Sequence, residues 1–179
     1  MATTLKRKFL AGTKQVLDAS MREKQPYKVR VLGKNFIVHP NVFSPKYFFD
    51  TEFFARNIKI GKGKDFLEIG SGTGIISVLA ALGSARRVVA VDINPDAVRN
   101  TKANIKLHNV EKKIKVYHGD VYSPLKPSDR FDVIFWNTPF GYVENKKISL
   151  LERAVFDPTY ESTKKFIRGA TKHLKSGGY

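Results

Sequence analysis

Strand and helix patterns alternate from Asp65 onward, and this alternation limits the fold more than any other feature of the sequence. Four short apolar runs typical of buried strands occur at "DFLEIG", "RRVVAVDI", "KIKVYHGD" and "RFDVIFW". Helical patterns lie between them at about Gly74–Leu82 and Pro95–His108, and a last helix is predicted at about Thr159–Lys175. A chain that alternates in this way is expected to form an α/β domain with a parallel sheet and crossover helices.

The residues before this unit are predicted to form an N-terminal part, residues 1–60, that packs on the larger domain of residues 61–179. The first segment, "TTLKRKFLAGTKQVLDASMREKQ", predicts a basic amphipathic helix, and the alternation about Gly33 predicts a small hairpin. In the aromatic stretch that follows, the spacing of Phe49, Phe53 and Phe54 predicts one buried helical face.

The chain carries a large excess of positive charge. It has 32 Lys and Arg residues against 16 Asp and Glu residues, a formal net charge of +16, and residues 1–34 alone hold nine basic and two acidic side chains. A basic surface attracts polyanions, so nucleic acid is the expected partner class, with RNA favoured over DNA. A solvated surface without such a partner is the alternative explanation.

Composition excludes several kinds of chemistry. The 179 residues include no cysteine, which excludes disulfides, thiolate metal sites and cysteine nucleophiles. The four histidines are scattered, so no metal ion is expected. No apolar run approaches the roughly 20 residues of a membrane span, and we expect a cytoplasmic protein without membrane contact.

The first predicted strand leads into a glycine loop, "EIGSGTG". Gly70, Gly72 and Gly74 follow a G-x-G-x-G rhythm, and Ile75 stands where a dinucleotide fingerprint would have its third glycine. This difference argues against a nicotinamide or flavin site. Glycines here still predict close approach of a ligand to the backbone, and a tight turn without a ligand is the alternative.

Acidic residues lie at or near the ends of the predicted strands. Asp92 ends the second strand, 18 residues after Gly74, and Asp120 ends the third. Because the carboxyl ends of parallel strands meet at one crevice, we expect both residues to share a pocket with the glycine loop. A nucleoside fits such a pocket, with its ribose on Asp92 and its adenine amine near Asp120. Glu68 favours a positively charged ligand over a phosphate.

Three stretches, "FLEIGSGTGIISVLAA", "VVAVDINPDAVRNTKANIKLHN" and "VYHGDVYSPL", resemble the successive motifs of class I S-adenosylmethionine-dependent methyltransferases. The resemblance covers about residue 64 to the C-terminus. It implies a Rossmann-like open parallel sheet that binds S-adenosyl-L-methionine, with the amino acid moiety of the cofactor near Glu68. The cofactor-binding residues that it implies are Glu68, Gly70, Ser71, Gly72, Gly74, Asp92, Ile93, Asp120, Val121 and Asn137.

The fourth predicted strand ends in "NTPF", which resembles the Asn-Pro-Pro-Tyr/Phe motif of amino-methyltransferases. A planar nitrogen is a poor nucleophile because its lone pair is delocalised, so the reaction needs groups that orient it. The resemblance implies that Asn137 and the Thr138 carbonyl accept its two N–H groups and that Phe140, after Pro139, stacks on the flat substrate. Thr138 replaces the first proline of the motif, and a turn that ends the strand is the alternative.

The segment "FSPKYFFDTEFFA" resembles the one that precedes the cofactor domain in release-factor glutamine methyltransferases. That resemblance implies that Asp50 and Thr51 lie over the cofactor or the substrate. A buried aromatic helix would explain the same segment.

These observations predict an S-adenosylmethionine-dependent N-methyltransferase that acts on a planar amine, with a base in RNA or DNA as the leading substrate. A glutamine side chain of a protein is the second hypothesis, and a non-catalytic subunit that binds the cofactor or nucleic acid is the third. In the family, the last helix is followed by a fifth strand, which Tyr179 would begin, and by an antiparallel pair. We therefore expect a sheet that is incomplete at the C-terminus, and a second chain could complete its edge.

Overall fold

A computed structural model of the chain describes residues 2–179, with side chains described from Lys8 onward. The helices are α1 (Ala2–Met21), α2 (Asp50–Asn57), α3 (Ile75–Leu82), α4 (Pro95–Leu107) and α5 (Glu161–His173), with a 3-10 helix at Glu152–Ala154. The strands are β1 (Tyr27–Val31), β2 (Lys34–Val38), β3 (Asp65–Ile69), β4 (Arg87–Asp92), β5 (Ile114–His118), β6 (Val133–Trp136), β7 (Gly141–Val143) and β8 (Phe156–Pro158).

The four predicted strands from Asp65 onward form one parallel sheet in the order β5-β4-β3-β6. In β3, which lies between β4 and β6, Phe66 aligns with Val88 on one side and Val133 on the other. Every residue of β3 is buried because apolar side chains cover both faces of the sheet. The predicted α/β architecture with a parallel sheet is confirmed.

The predicted hairpin forms, and buried amide side chains of α4 hold its second strand. Asn104 accepts the Ile37 N–H at 2.8 Å and donates to the Ile37 and Thr73 carbonyls at 2.8 and 2.9 Å. Asn100 accepts the His39 N–H at 2.8 Å. Because both asparagines are fully buried, these bonds satisfy polar groups that water does not reach.

A third apolar cluster joins α1 to the segment that follows β7. Its buried members are Leu17, Phe48, Leu151, Val155 and Phe156. Two elements in this region, the parallel pair β7–β8 and the 3-10 helix, were not predicted. Met1, at the start of the predicted N-terminal part, lies outside the described residues, and the division at residue 60 remains a prediction.

The prediction that Phe49, Phe53 and Phe54 share a buried face is wrong. Phe49 is 82% exposed and Phe53 is 62% exposed. Phe54 packs against the sheet, with its ring centroid 5.2 Å from that of Phe135. Consecutive helical residues point about 100° apart, and in this orientation of α2 Phe54 faces the sheet while Phe53 faces solvent.

The last residues run beside β6. The Tyr179 N–H donates to the Asp132 carbonyl at 3.0 Å, and the Tyr179 carbonyl accepts the Ile134 N–H at 2.9 Å. This alternating pattern is that of a parallel pair. In the described part of the chain, none of the helices has both the length and the apolar composition needed to cross a membrane.

Candidate active site

A cleft of about 850 Å³, including the open space at its mouth, lies at the carboxyl ends of β3, β4 and β6. Open parallel sheets bind ligands at this edge. Nine of the predicted site residues line the cleft: Thr51, Glu68, Gly70, Ser71, Gly72, Asp92, Ile93, Asn137 and Pro139. Residues predicted for the cofactor and residues predicted for the substrate therefore lie together.

A second pocket adjoins the cleft and shares Gly70, Asp92, Ile93 and Pro139 with it. Asp120 and Val121, which were predicted to lie near the adenine, line this pocket. Four other residues that were predicted for the site line neither space: Asp50, Gly74, Thr138 and Phe140.

Packing within the protein explains two of the loop glycines. A Cβ atom on Gly70 would lie 2.5 Å from the Trp136 Nε1 atom, and one on Gly74 would lie 2.7 Å from the Thr101 Cγ2 atom. Both glycines also have positive φ angles, of +64° and +74°. The absence of a side chain at these positions therefore follows from neighbouring side chains and backbone conformation, without a ligand.

Gly72 differs because its missing side chain faces open space. Its φ angle is +54°, and no heavy atom lies within 4 Å of a Cβ built there. Its N–H donates to Asp92 Oδ2 at 2.7 Å. A ligand can therefore approach the backbone at Gly72 directly beside this carboxylate.

Asp92 is held in place by backbone N–H groups. Its Oδ1 atom accepts the Asn94 N–H at 2.8 Å, in addition to the bond from Gly72 to Oδ2. Burial raises the pKa of Asp92, and the two hydrogen bonds oppose that rise. Each carboxylate oxygen keeps a second lone pair, so both can accept hydroxyl groups of a ribose. Asp92 and the open space at Gly72 thus fit the nucleoside part of the predicted cofactor.

Glu68 lies at the floor of the cleft and is 4% exposed. Its Oε2 atom accepts the Ser77 backbone N–H at 2.9 Å and the Ser77 hydroxyl. Burial raises the pKa of Glu68 to about 8, and the charge of Asp92 contributes to the rise. A cationic ligand would favour the ionised form, which fits the prediction that an ammonium group binds near this residue.

The second pocket holds a strained residue and an ion pair. Val121 is buried and has a φ angle of +52°, which is unfavourable for a β-branched side chain. Asp120, beside it, forms an ion pair with Lys165 of α5. The Asp120 carboxylate therefore already has a cationic partner where the adenine amine was predicted to bind.

The "NTPF" residues follow β6 and differ in their surroundings. Asn137 lines the cleft, and among the described residues its side-chain amide has no hydrogen-bond partner. Pro139 is buried at the cleft, whereas Phe140 is 43% exposed and its ring centroid lies 5.8 Å from that of Phe9 in α1. The structure thus offers a free amide beside the predicted cofactor residues.

Several residues of the cleft were not predicted from the sequence. Arg153 lines both the cleft and the second pocket, and Leu151 lines the cleft beside it. No motif marks this segment, so the sequence contained no signal for it. Phe54 also lines the cleft, and the aromatic stretch was the signal that could have indicated it. Within the described side chains, no group of three or more His, Asp or Glu residues could hold a metal ion.

Comparison with known proteins assigns the family. Residues 33–179 match the model of the methyltransferase small domain. A Methanocaldococcus jannaschii protein described as a candidate protein N5-glutamine methyltransferase is 35% identical over 154 residues, which cover 84% of this chain and 75% of that protein. The chain belongs to the methyltransferase small-domain family. The predicted family and enzyme class are therefore confirmed.

Two further comparisons place this small-domain methyltransferase among relatives that are longer. The release factor glutamine methyltransferase of Aquifex aeolicus is 36% identical over 123 residues, which cover 63% of this chain and 43% of that enzyme. The 16S rRNA N2 G1207 methyltransferase of T. Thermophilus, solved with AdoMet and guanosine, has a TM-score of 0.59 and 23% identity, covering 84% of this chain and 39% of that one. The fold class is thereby confirmed as predicted. Membership of the methyltransferase small-domain family confirms the predicted cofactor, S-adenosyl-L-methionine.

Proposed function

We propose that this small-domain methyltransferase transfers a methyl group from S-adenosylmethionine to a planar nitrogen that Asn137 holds. The observation that supports this proposal is the position of Asn137. It lines the same cleft as Gly72 and Asp92, and its amide has no hydrogen-bond partner among the described residues. A polar group without a partner beside a cofactor site is available for the substrate.

Each group of the site has a role in this reaction. Gly72 and Asp92 would hold the nucleoside part of the cofactor, and Glu68 its ammonium group. When bound, S-adenosylmethionine supplies a methyl group whose S–C bonding electrons stay on sulfur while the nitrogen lone pair forms the new bond and the nitrogen releases a proton. The Asn137 side-chain oxygen and the Thr138 carbonyl accept the two N–H groups of the substrate, which orients the lone pair. This role for Thr138 remains a prediction.

Two classes of substrate carry such a nitrogen. A nucleic-acid base, RNA more than DNA, is favoured by the formal net charge of +16, since basic proteins attract polyanions. A glutamine amide of a protein is favoured by the names of the two relatives from Methanocaldococcus jannaschii and Aquifex aeolicus. A cytoplasmic location and a second chain at the sheet edge remain predictions.

The test compares transfer of radiolabelled methyl groups into total RNA, DNA and protein by the natural chain and two variants. Asn137→Ala should reduce transfer about 100-fold, because the nitrogen is no longer oriented. Asn57→Ala removes the same side chain from an exposed position of α2 outside the cleft and should retain full transfer. Cofactor affinity, measured by calorimetry, should stay within about twofold in Asn57→Ala. Because Asn137 is also an implied cofactor-binding residue, transfer by Asn137→Ala is compared at a cofactor concentration that saturates the variant.

Methyl label that enters nucleic acid with the natural chain but not with Asn137→Ala supports the leading substrate. Methyl label that enters protein and is lost in the same variant supports the glutamine amide. Equal transfer by Asn137→Ala and the natural chain would contradict the proposed role of Asn137. Cofactor binding without transfer into any of the three pools would contradict the proposed activity.

A further inference from the structure

We infer that the rim of the cleft binds single-stranded nucleic acid, with the exposed pair Phe9 and Phe140 stacking on a base next to the target base and Arg153 contacting a phosphate. This inference rests on the proposed function, because it assumes a nucleic-acid substrate. It adds the residues that recognise the substrate outside the reacting nitrogen.

Arg153 places a positive charge at the cleft. It lines both the cleft and the second pocket, and no ion pair between Arg153 and an acidic residue occurs among the described side chains. Among the described residues, its guanidinium group makes one hydrogen bond, a long one of 3.5 Å to the Lys146 carbonyl. A guanidinium group in this position can give two parallel hydrogen bonds to a phosphate.

The interior of the cleft is lined by carboxyl groups. Glu68 and Asp92, both buried, are the acidic residues that line it. Both suit the positively charged cofactor. The ionised form of Asp92 would repel a phosphate, and Glu68, whose pKa is raised to about 8, gives a phosphate no favourable partner. A polyanionic substrate would therefore place a phosphate beside Arg153, which is half-buried, while an uncharged base enters the cleft.

The aromatic pair lies next to this rim. Phe140 directly follows Pro139, which lines the cleft, and it contacts Phe9 with the rings edge to face at 69°. Phe9 is 51% exposed and Phe140 is 43% exposed, so the pair presents ring surface to solvent. Bases stack on exposed aromatic rings whatever their sequence.

Packing holds α1 beside the segment that carries Arg153. Leu17 of α1 is 1% exposed and belongs to the same apolar cluster as Leu151 and Phe156. Lys8 and Lys14 of the same helix are exposed. The basic helix predicted from the sequence therefore lies against the active-site segment and adds positive charge near the aromatic pair.

These features fit a nucleic acid better than a glutamine in a protein. A glutamine presents one planar group, which would enter the cleft at Asn137. The aromatic pair stands outside the cleft lining and offers a second surface for a flat group, and consecutive bases in a single strand provide such groups.

The first test measures the salt dependence of binding. A fluorescently labelled single-stranded RNA of about twelve nucleotides is titrated without cofactor at several salt concentrations. Arg153→Ala should reduce the slope of log K against log salt by about 0.7, the value for one phosphate contact on a single strand. Lys112→Ala removes an exposed charge just before β5, at the opposite edge of the sheet, and should leave the slope unchanged.

The second test addresses stacking in the same titration. Phe9→Ala should weaken binding about tenfold, whereas Phe9→Trp, which keeps an aromatic face, should bind as the natural chain does. Point variants are preferable to deletion of the helix, because deletion would expose the cluster around Leu17. Unchanged cofactor affinity and melting temperature show that the variants remain folded.

Equal salt slopes for Arg153→Ala and the natural chain would overturn the phosphate contact, and equal affinities for Phe9→Ala and the natural chain would overturn the stacking surface. Methyl label that enters only protein would overturn the inference as a whole while leaving the proposed transfer intact. Because RNA binding is measured without cofactor, loss of methyl transfer alone does not produce any of these binding results.

Discussion

At the scale of single residues, the fold changes the ionisation of Glu68, which lines the cleft. Burial raises its pKa from 4.5 to about 8, against the opposing hydrogen bonds from Ser77. Between pH 4.5 and about pH 8, Glu68 therefore carries a proton in the folded protein but not in the unfolded chain. The stability that this proton contributes is present in full below the unfolded pKa and is lost as the pH rises to about 8.

We expect Glu68→Gln, which cannot ionise, to weaken this dependence on pH. Without cofactor, the unfolding free energy of the natural chain should fall by roughly 3 kcal/mol more than that of the variant between pH 5 and pH 8. Urea denaturation at several pH values measures the difference. If the unfolding free energies of the two proteins changed equally with pH, Glu68 would be ionised in the folded state throughout this range.

From the sequence, the position of a residue could be predicted where a strand end determines it. Asp92 and Asn137 could be placed at one cleft because parallel strands end at one edge. The reason given for the glycines was incomplete, since Gly70 and Gly74 are required by Trp136 and Thr101, which are distant in sequence. Arg153 could not be predicted, because its place depends on how an irregular segment folds over the cleft.

At the scale of elements, the side chains that dock the hairpin on α4 are the feature least visible in the sequence. The helix "PDAVRNTKANIKL" has a strongly polar composition, and Asn104 would pass for a solvent-exposed residue. It is instead fully buried and binds Ile37, which is 67 residues away in the chain. Hairpin and helix were each predictable from local patterns, whereas their contact depends on these non-local hydrogen bonds.

Asn104→Ala should reduce the unfolding free energy by about 2–3 kcal/mol, because the buried backbone groups of Ile37 and the Thr73 carbonyl lose their partner. Urea denaturation measures this loss. Hydrogen exchange should show faster exchange at the Ile37 amide, while amides of β3 and β4 change less. Lys102→Ala, on the exposed face of the same helix, serves as the control and should change stability by less than about 0.5 kcal/mol.

At the scale of the whole molecule, one ionic network at the edge opposite the cleft joins four chain segments. Lys175, after α5, contacts Asp65 at the start of β3 at 2.8 Å and Asp132, just before β6, at 2.7 Å. The Asp65 side chain is 3% exposed and also pairs with Arg86 at 2.6 Å. These bonds hold the pKa of Asp132 well below its usual range, with the Lys175 hydrogen bond as the largest cause. The network therefore fixes the chain after α5 to the sheet.

Lys175→Met keeps most of the apolar stem of the side chain but removes its charge. Two carboxylates then have fewer partners, and one of them is buried. We therefore expect a loss of about 2 kcal/mol in unfolding free energy at pH 7. Lys172→Met removes an exposed charge from the same region, for which the described residues show no ion pair, and should be nearly neutral. Because the lowered pKa of Asp132 contributes stability that is lost as the pH falls, the gap between the natural chain and Lys175→Met should narrow below about pH 4. Urea denaturation from pH 3 to pH 7 measures this gap, and a gap that stays constant with pH would show that Lys175 acts through packing and not through its charge.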